Sequence, residues 1–333
     1  MTQPMDKHDS QRSTGTAAPV EKKLIPYGGY HTNKIPGHDP ELTEVGPGTP
    51  TGEYMRSFWQ PVCMSMELTD TPHFLKILGE ELVAFRDKSG RVGLLHAHCV
   101  HRGASLEYGS IQERGIMCCY HGMVFDIDGT CLKVPFPKGE EADAERYACS
   151  IRQGAYKAFE RNGLVFAYMG PPEHQPEFTP PPWAPNETSR LAVAKIIIPC
   201  NWAQILEGQI DSAHSSSLHS SDMVPARVHG AEATDKNWLR PSTDKAPRLQ
   251  VQRTDYGFRY AAIRRPIFNA QTHDYIRTTV FIAPWTVLVP PNNLYNVANV
   301  NVPIDDTNTC FYFIAWGHPA RTPETETWRK FLG

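Results

Sequence analysis

Three observations predict an α+β architecture. Short strand-like runs broken by turns fill the stretch from Tyr54 to about Gly170, a Pro-rich joint follows, and a second set of strands then surrounds one helix. Taken in order, residues 1–43 are polar and read as a flexible tail. Tyr54–Met66 mixes aromatic and apolar residues and is expected to pack against the β-rich strands after it. His73–Leu78 and Leu82–Arg86 are apolar and β-branched or aromatic, and Lys88-Ser-Gly90 turns the chain into Val92–Leu95. Asp126-Ile-Asp-Gly129 reads as a second hairpin turn and Asn162–Met169 as a closing strand. Gly170-Pro-Pro172 and Pro180-Pro-Pro182 form the joint. The expected division is a β-rich unit over 54–170 and a second unit over 171–333.

In the second unit Leu191–Ile198 is predicted as a strand and Trp202–Leu218 as a helix. Asp222–Pro247 is expected to be a long polar loop. Strands are predicted at Leu249–Arg253, Gly257–Arg264, Tyr275–Ala283, Trp285–Val289 and Thr309–Trp316. Ile304-Asp-Asp-Thr-Asn308 reads as a hairpin turn, and Glu324 with Glu326 as the first turn of a helix. No internal repeat is present.

At 333 residues the chain can bury two substantial cores. Its 33 basic and 36 acidic residues lie near balance without a basic block, which argues against nucleic acid or an anionic membrane as partner. No apolar run reaches bilayer length, and acidic residues in the first forty positions argue against a signal or transit peptide. Cys63, Cys131, Cys149, Cys200 and Cys310 sit among apolar neighbours and are expected to be small buried hydrophobes rather than disulfide partners, which fits a reducing cytoplasm.

Two short segments carry the chemistry. Cys99-Val-His101-Arg-Gly103 is followed by Cys118-Cys-Tyr-His121-Gly122, with sixteen residues between His101 and Cys118. Each offers one thiolate and one imidazole, a set suited to a two-iron, two-sulfide cluster with sulfur ligands on one iron and nitrogen on the other. Structural zinc is the alternative, but it favours paired C-x2–4-C or H-x3–5-H spacings. Cys119-Tyr-His121 also spells C-x-H, so spacing alone leaves Cys118 and Cys119 open. Gly103 and Gly122 are expected to turn the backbone tightly, and Arg102 reads equally as a carboxylate partner or a solvated charge. Further along, Glu207-Gly-Gln-Ile-Asp211-Ser-Ala-His214-Ser-Ser-Ser-Leu-His219 supplies two histidines and carboxylates, the donors of a two-His, one-carboxylate Fe(II) site. On a helix Glu207, Asp211 and His214 share one face, and His219 can join only if the helix bulges or ends near Ser215–Ser217.

The pairing of C-x-H-x16-C-x2-H with E-x3-D-x2-H-x4-H resembles the catalytic subunit of Rieske non-heme iron oxygenases, in particular the phthalate 4,5-dioxygenase-like group. Val45-Gly-Pro-Gly-Thr-Pro50, Leu78-Gly-Glu-Glu-Leu-Val-Ala-Phe-Arg86 and Asn201-Trp202 are similar too. The resemblance implies an all-β Rieske iron–sulfur domain beside a helix-grip domain of antiparallel sheet and helices. It implies a [2Fe-2S] Rieske cluster on Cys99, His101, Cys118 and His121, and a mononuclear Fe(II) on His214 and His219. It also implies that Asp211 bonds a ligand histidine and the second cluster histidine of a neighbouring subunit, hence a homotrimer or hexamer. The implied partners are an NAD(P)H-dependent flavin/iron-sulfur reductase, O2 and an aromatic acid held by Arg240 and Arg277, with Arg264 and Arg265 as alternates. The family's third iron ligand is an Asp far downstream in a closing helix. Asp305, Asp306, Glu324 and Glu326 are not favoured for that role, so a C-terminally truncated chain is expected. The implied activity is cis-dihydroxylation of an arene carboxylate. Rivals are O-demethylation or aryl-ether cleavage, a pure electron carrier, and a zinc-stapled binding module. No Gly-rich dinucleotide loop is present, so the nicotinamide belongs to the reductase.

Overall fold

A computed structural model describes residues 37–135, 139–181, 188–218, 223–225, 238–240, 242, 244–290 and 295–330. His219 and the side chain of Arg240 therefore lie outside the described part. Two short helices, α1 (Pro40–Thr43) and α2 (Pro50–Arg56), lead in. They begin after Asp39 and Thr49, whose side chains accept Glu41 N–H and Gly52 N–H, with Pro at the first helical position. Strands β1 (Trp59–Met64), β2 (His73–Ile77), β3 (Glu80–Arg86) and β4 (Val92–His96) come next. A small meander, β5 (Ser110–Ile111), β6 (Ile116–Met117), β7 (Val124–Phe125) and β8 (Cys131–Lys133), then precedes α3 (Glu141–Ser150). β9 (Ala155–Arg161) and β10 (Leu164–Tyr168) complete the first half.

The second half contains β11 (Arg190–Ile198), α4 (Trp202–Ile210), β12 (Met223–Pro225), β13 (Trp238–Arg240), β14 (Arg248–Thr254), β15 (Gly257–Arg264) and β16 (Tyr275–Ile282). It closes with β17 (Thr286–Val289), β18 (Asn296–Pro303), β19 (Thr309–Gly317) and α5 (Thr325–Lys330). The first half forms a six-stranded sheet, β1-β10-β9-β4-β3-β2, beside the meander β5-β6-β7-β8. The second forms a seven-stranded antiparallel sheet, β11-β19-β18-β17-β16-β15-β14, and α4 packs on β17 and β18. These are the all-β layer and the helix-on-sheet layer of the expected α+β plan.

Local chemistry explains the turns. Leu78 and Gly79 both have left-handed φ (49° and 80°), as do Asn162 and Gly163 (50° and 78°), the pattern of two-residue hairpin turns that match strand twist. The Asp126–Gly129 turn closes with Gly129 N–H on Asp126 O at 3.0 Å, Gly129 at φ 84°. The expected hairpin at 304–308 is present, with Asp305 accepting from Thr307 N–H at 3.0 Å.

The two halves share one apolar core. Val62, Cys63, Leu164 and Phe166 from the first sheet join Val300, Val302, Tyr312 and Ile314 from the second and Trp202 from α4. The β2–β3 turn is stitched across this boundary, Leu78 N–H to Pro303 O at 3.0 Å and Gly79 N–H to Ile304 O at 2.9 Å. Lys76 reaches Asp305 at 3.2 Å, and Lys195 pairs with Glu67.

Several expectations need correction. The helix predicted over Trp202–Leu218 stops at Ile210, because the Asp211 carboxylate captures the N–H groups of Ala213 (2.7 Å) and His214 (3.1 Å). Glu207, Asp211 and His214 therefore do not share a helical face. The loop expected at 222–247 contains two short paired parallel strands, β12 and β13. β18 went unpredicted, since Asn alternates with apolar residues along it and Asn is disfavoured in strands. Cys63, Cys131 and Cys310 are buried as expected, but Cys149 is exposed and Cys200 only half-buried. Among the described residues no helix is long and apolar enough to cross a membrane.

Candidate metal centres

The two Cys/His segments fold into near-identical loops. Each is the tip of a hairpin whose base is bridged, His98 to Ser105 in the first and Met117 to Val124 in the second. Cys99 N–H donates to Ala104 O at 2.9 Å, and Gly103 N–H returns to Cys99 O at 2.8 Å. Cys118 N–H donates to Met123 O at 2.8 Å, and Gly122 N–H returns to Cys118 O at 3.0 Å. The cysteine thus sits at the same place in both frames, while the histidine falls two residues later in one and three in the other. This symmetry distinguishes Cys118 from Cys119, which is exposed on the outer side.

Gly103 and Gly122 adopt φ of 72° and 73°. No atom lies within 4 Å of where their Cβ would stand, so glycine is required for its left-handed backbone and not for space.

The sulfurs are inside and the imidazoles outside. Cys99 and Cys118 are 3% and 2% exposed and pack with Leu106, Ile116, Met123 and Phe125. His101 and His121 are exposed at the tip, their ring centroids 4.7 Å apart at 66°. Burial pushes the Cys99 thiol up to about 11; the neighbouring Cys118 adds to this, while the backbone N–H groups of His101 and Arg102 oppose it. Metal binding must therefore displace a proton from this sulfur, and those N–H groups stand ready to stabilise the thiolate. Among the described residues no three His, Cys, Asp or Glu side chains converge on a single ion. The donors come in pairs instead. Two sulfurs and two imidazoles in mirrored loops fit a binuclear cluster with two protein ligands on each iron. Arg102 is exposed, with no carboxylate partner among the described residues.

Gln153, 2% exposed, buttresses the first loop. Its Nε2 donates to His96 O (2.8 Å) and His98 O (2.9 Å), and its Oε1 accepts from Val100 N–H at 2.8 Å. Nothing in its local sequence marks it, because its partners lie more than fifty residues away.

The second site begins at the N-terminus of α4, where Asn201 caps Ala203 N–H at 3.0 Å. The same side chain donates to Thr43 O (3.0 Å) and Asp306 O (2.8 Å). Near the helix end, Gln209 and Asn301 exchange amide bonds of 3.0 and 2.7 Å. Beyond Ile210 the chain tightens into a 3₁₀ turn at His214–Ser216. His214 Nδ1 lies 3.3 Å from Asp211 Oδ2. Burial acts to raise the Asp211 carboxyl, but the N–H groups of Ala213 and His214 outweigh it and hold it below the usual carboxylate range. Glu207 is exposed and stands apart.

The arginines divide. Arg240 ends β13, paired in register with Pro225. Arg277 lies on β16 opposite Ala262 and donates to Pro290 O. Arg264 is 5% exposed beside the His214 turn; burial, then the neighbouring Arg277 cation, pulls it below the ordinary guanidinium range. Arg265 points outward to Asp244 at 3.0 Å.

The fold and loops define a two-part protein, a β module carrying paired Cys/His loops fused to a helix-on-sheet module. Residues 58–152 match the family described as Rieske [2Fe-2S] domain, and residues 167–333 match LigXa C-terminal domain like. The chain is 60% identical over 295 residues to the phthalate 4,5-dioxygenase oxygenase subunit of Pseudomonas putida, covering 88% of this chain and 66% of that protein. It is 47% identical over 233 residues to the tert-butanol monooxygenase / tert-amyl alcohol desaturase oxygenase subunit of Aquincola tertiaricarbonis, covering 69% and 48%. The chain thus spans less than two thirds of the length of each. A solved structure of dicamba monooxygenase bound to dicamba has the same fold, with a TM-score of 0.61 at 18% identity over 78% of this chain and 77% of that one. The chain belongs to the Rieske non-heme iron oxygenase family, among the catalytic subunits with a LigXa-like C-terminal domain.

Proposed function

We propose that this chain forms the terminal oxygenase of a cytoplasmic multicomponent system that cis-dihydroxylates an aromatic carboxylate of the phthalate class. The single observation that carries the reading is the pair of matched loops, with two buried sulfurs and two exposed imidazoles at one tip. Cys99 and Cys118 as thiolates, with His101 and His121, would hold the [2Fe-2S] cluster, and His214 with His219 would hold Fe(II). When bound, the cluster supplies one-electron transfer and the iron supplies O2 activation.

The chain's own groups do the rest. A separate NAD(P)H-dependent reductase would supply the electrons, one at a time, to the cluster that Cys99, His101, Cys118 and His121 would hold. The Asp211 carboxylate, 3.3 Å from His214 Nδ1, orients that ring and raises its basicity. Asp211 would also meet His121 of the partner subunit, which makes a homotrimer or hexamer the working unit. Arg277 and Arg240 are assigned to the substrate carboxylate, where a bidentate fork gives both affinity and orientation.

The test is turnover with reductase, NAD(P)H, phthalate and ¹⁸O2. The reading expects a dihydrodiol carrying label in both hydroxyls. Label in a single hydroxyl, or loss of an alkyl or aryl group, would make it a monooxygenase. Electron transfer with no labelled product at all would make it a carrier.

A further inference from the structure

Resting on the reading of His214 as an iron ligand, we propose that Arg264 is the positioning residue that fixes the His214 turn. Side chains alternate along β15, so Tyr260, Ala262 and Arg264 share one face. That face meets the end of α4. Tyr260 OH donates to Ile210 O, the last helical carbonyl, and Ala262 is fully buried between. Arg264 Nη2 donates to Ser212 O at 2.7 Å and reaches Ser216 Oγ at 3.4 Å, while its Nε donates to Asp244 O at 3.2 Å.

Two of these acceptors lie two residues before and two residues after His214. A helix that stops early leaves carbonyls without intrahelical partners; Tyr260 takes the last of these, and Arg264 takes the Ser212 carbonyl two residues further on, which also accepts from Ser215 Oγ at 2.9 Å. The planar guanidinium reaches these three acceptors from two separate nitrogens in a fixed fork, whereas an ammonium carries all its donors on one nitrogen and an amide has only two.

The charge is as informative as the bonds. None of the three acceptors is a carboxylate, and the Asp244 carboxylate is taken by Arg265, through its N–H at 2.7 Å and its Nη2 at 3.0 Å. Among the described residues this buried guanidinium is bonded only to neutral oxygens, which is costly unless geometry demands it. The demand here is a rigid turn, since a ligand imidazole must hold its orientation closely for metal to bind.

The experiment compares Arg264→Gln and Arg264→Lys with the full chain. In iron-free protein, amide exchange across residues 211–217 should quicken about 10-fold or more in Arg264→Gln, while residues 99–122 stay unchanged. Co(II) affinity at the His214 site should fall about 10- to 100-fold, the usual penalty for losing an outer partner of a ligand. Arg264→Lys keeps charge and bulk, so it should fold yet recover only part of both losses. Unchanged exchange at 211–217 in either variant overturns the proposal. So does unchanged Co(II) affinity with a raised KM for phthalate, which would make Arg264 a substrate clamp. A wild-type chain that takes no Co(II) would count against the iron reading alone, because the exchange measurement needs no metal.

Discussion

The cluster loops and the His214 turn solve the same problem, fixing an imidazole, by different means. Each cluster loop closes on itself through two backbone bonds and one left-handed glycine, all within six residues. The His214 turn also closes locally, through Asp211 and through Ser217 N–H on His214 O at 2.9 Å, but it is braced in addition from Tyr260 and Arg264 on β15, some fifty residues distant, while Asn301 on β18 holds the end of α4 through Gln209. The cluster loops should fail on loop substitutions and, among distant changes, on loss of the Gln153 buttress. The His214 turn should fail on changes in β15 as well as on changes in the turn itself.

The largest expected effect tests the loop symmetry. Cys118→Ser should abolish cluster absorbance and bound sulfide, whereas Cys119→Ser should leave both intact; equal loss in the two variants would break the equivalence of Cys99 and Cys118. Next is the bracing of α4. Asn301→Leu strands the Gln209 amide and should cost about 1–3 kcal/mol in denaturant unfolding, whereas the double change with Gln209→Leu should cost less than the two single changes summed. Additive losses would mean the amides do not couple.

Gly122→Ala meets open space but a left-handed φ that a side chain disfavours, so about 1–2 kcal/mol is expected from backbone strain. Gly115→Ala should be worse, since its Cβ would stand 1.9 Å from Phe125 O. A calorimetric scan that ranks them the other way contradicts the distinction between strain and crowding.

The smallest effect concerns the clamp between the halves. Burial alone would raise the Asp305 carboxyl, but bonds from Asn308, Thr307 and Lys76 bring it down to about 2. A depressed carboxylate stabilises the fold above its unfolded value of 3.8 and loses that contribution as pH falls through about 2. Asp305→Asn should therefore cost about 1 kcal/mol at neutral pH, after screening, and flatten the stability curve between roughly pH 4 and 2. An unaltered curve in that window would remove Asp305 from the clamp.

Legibility followed the same divide. The two Cys/His loops could be read from spacing because their frame is local, although spacing left Cys118 and Cys119 open, and so could the hairpin turns at Asp126–Gly129 and 304–308. The helix end could not. Asp211 reads as one more helical carboxylate until its bonds to Ala213 and His214 are seen, and these end the helix at Ile210. Gln153, Asn301 and the role of Arg264 escaped because each acts through partners that only the folded sheet brings near.

Mixed sulfur and nitrogen ligation at the loop tip is the central claim. Iron and acid-labile sulfide per chain, measured with nitrogen hyperfine coupling in the reduced protein, address it directly. The expected result is at least two irons and two sulfides, with two coupled histidine nitrogens. Zinc without sulfide, or a cluster with no nitrogen coupling, would contradict it.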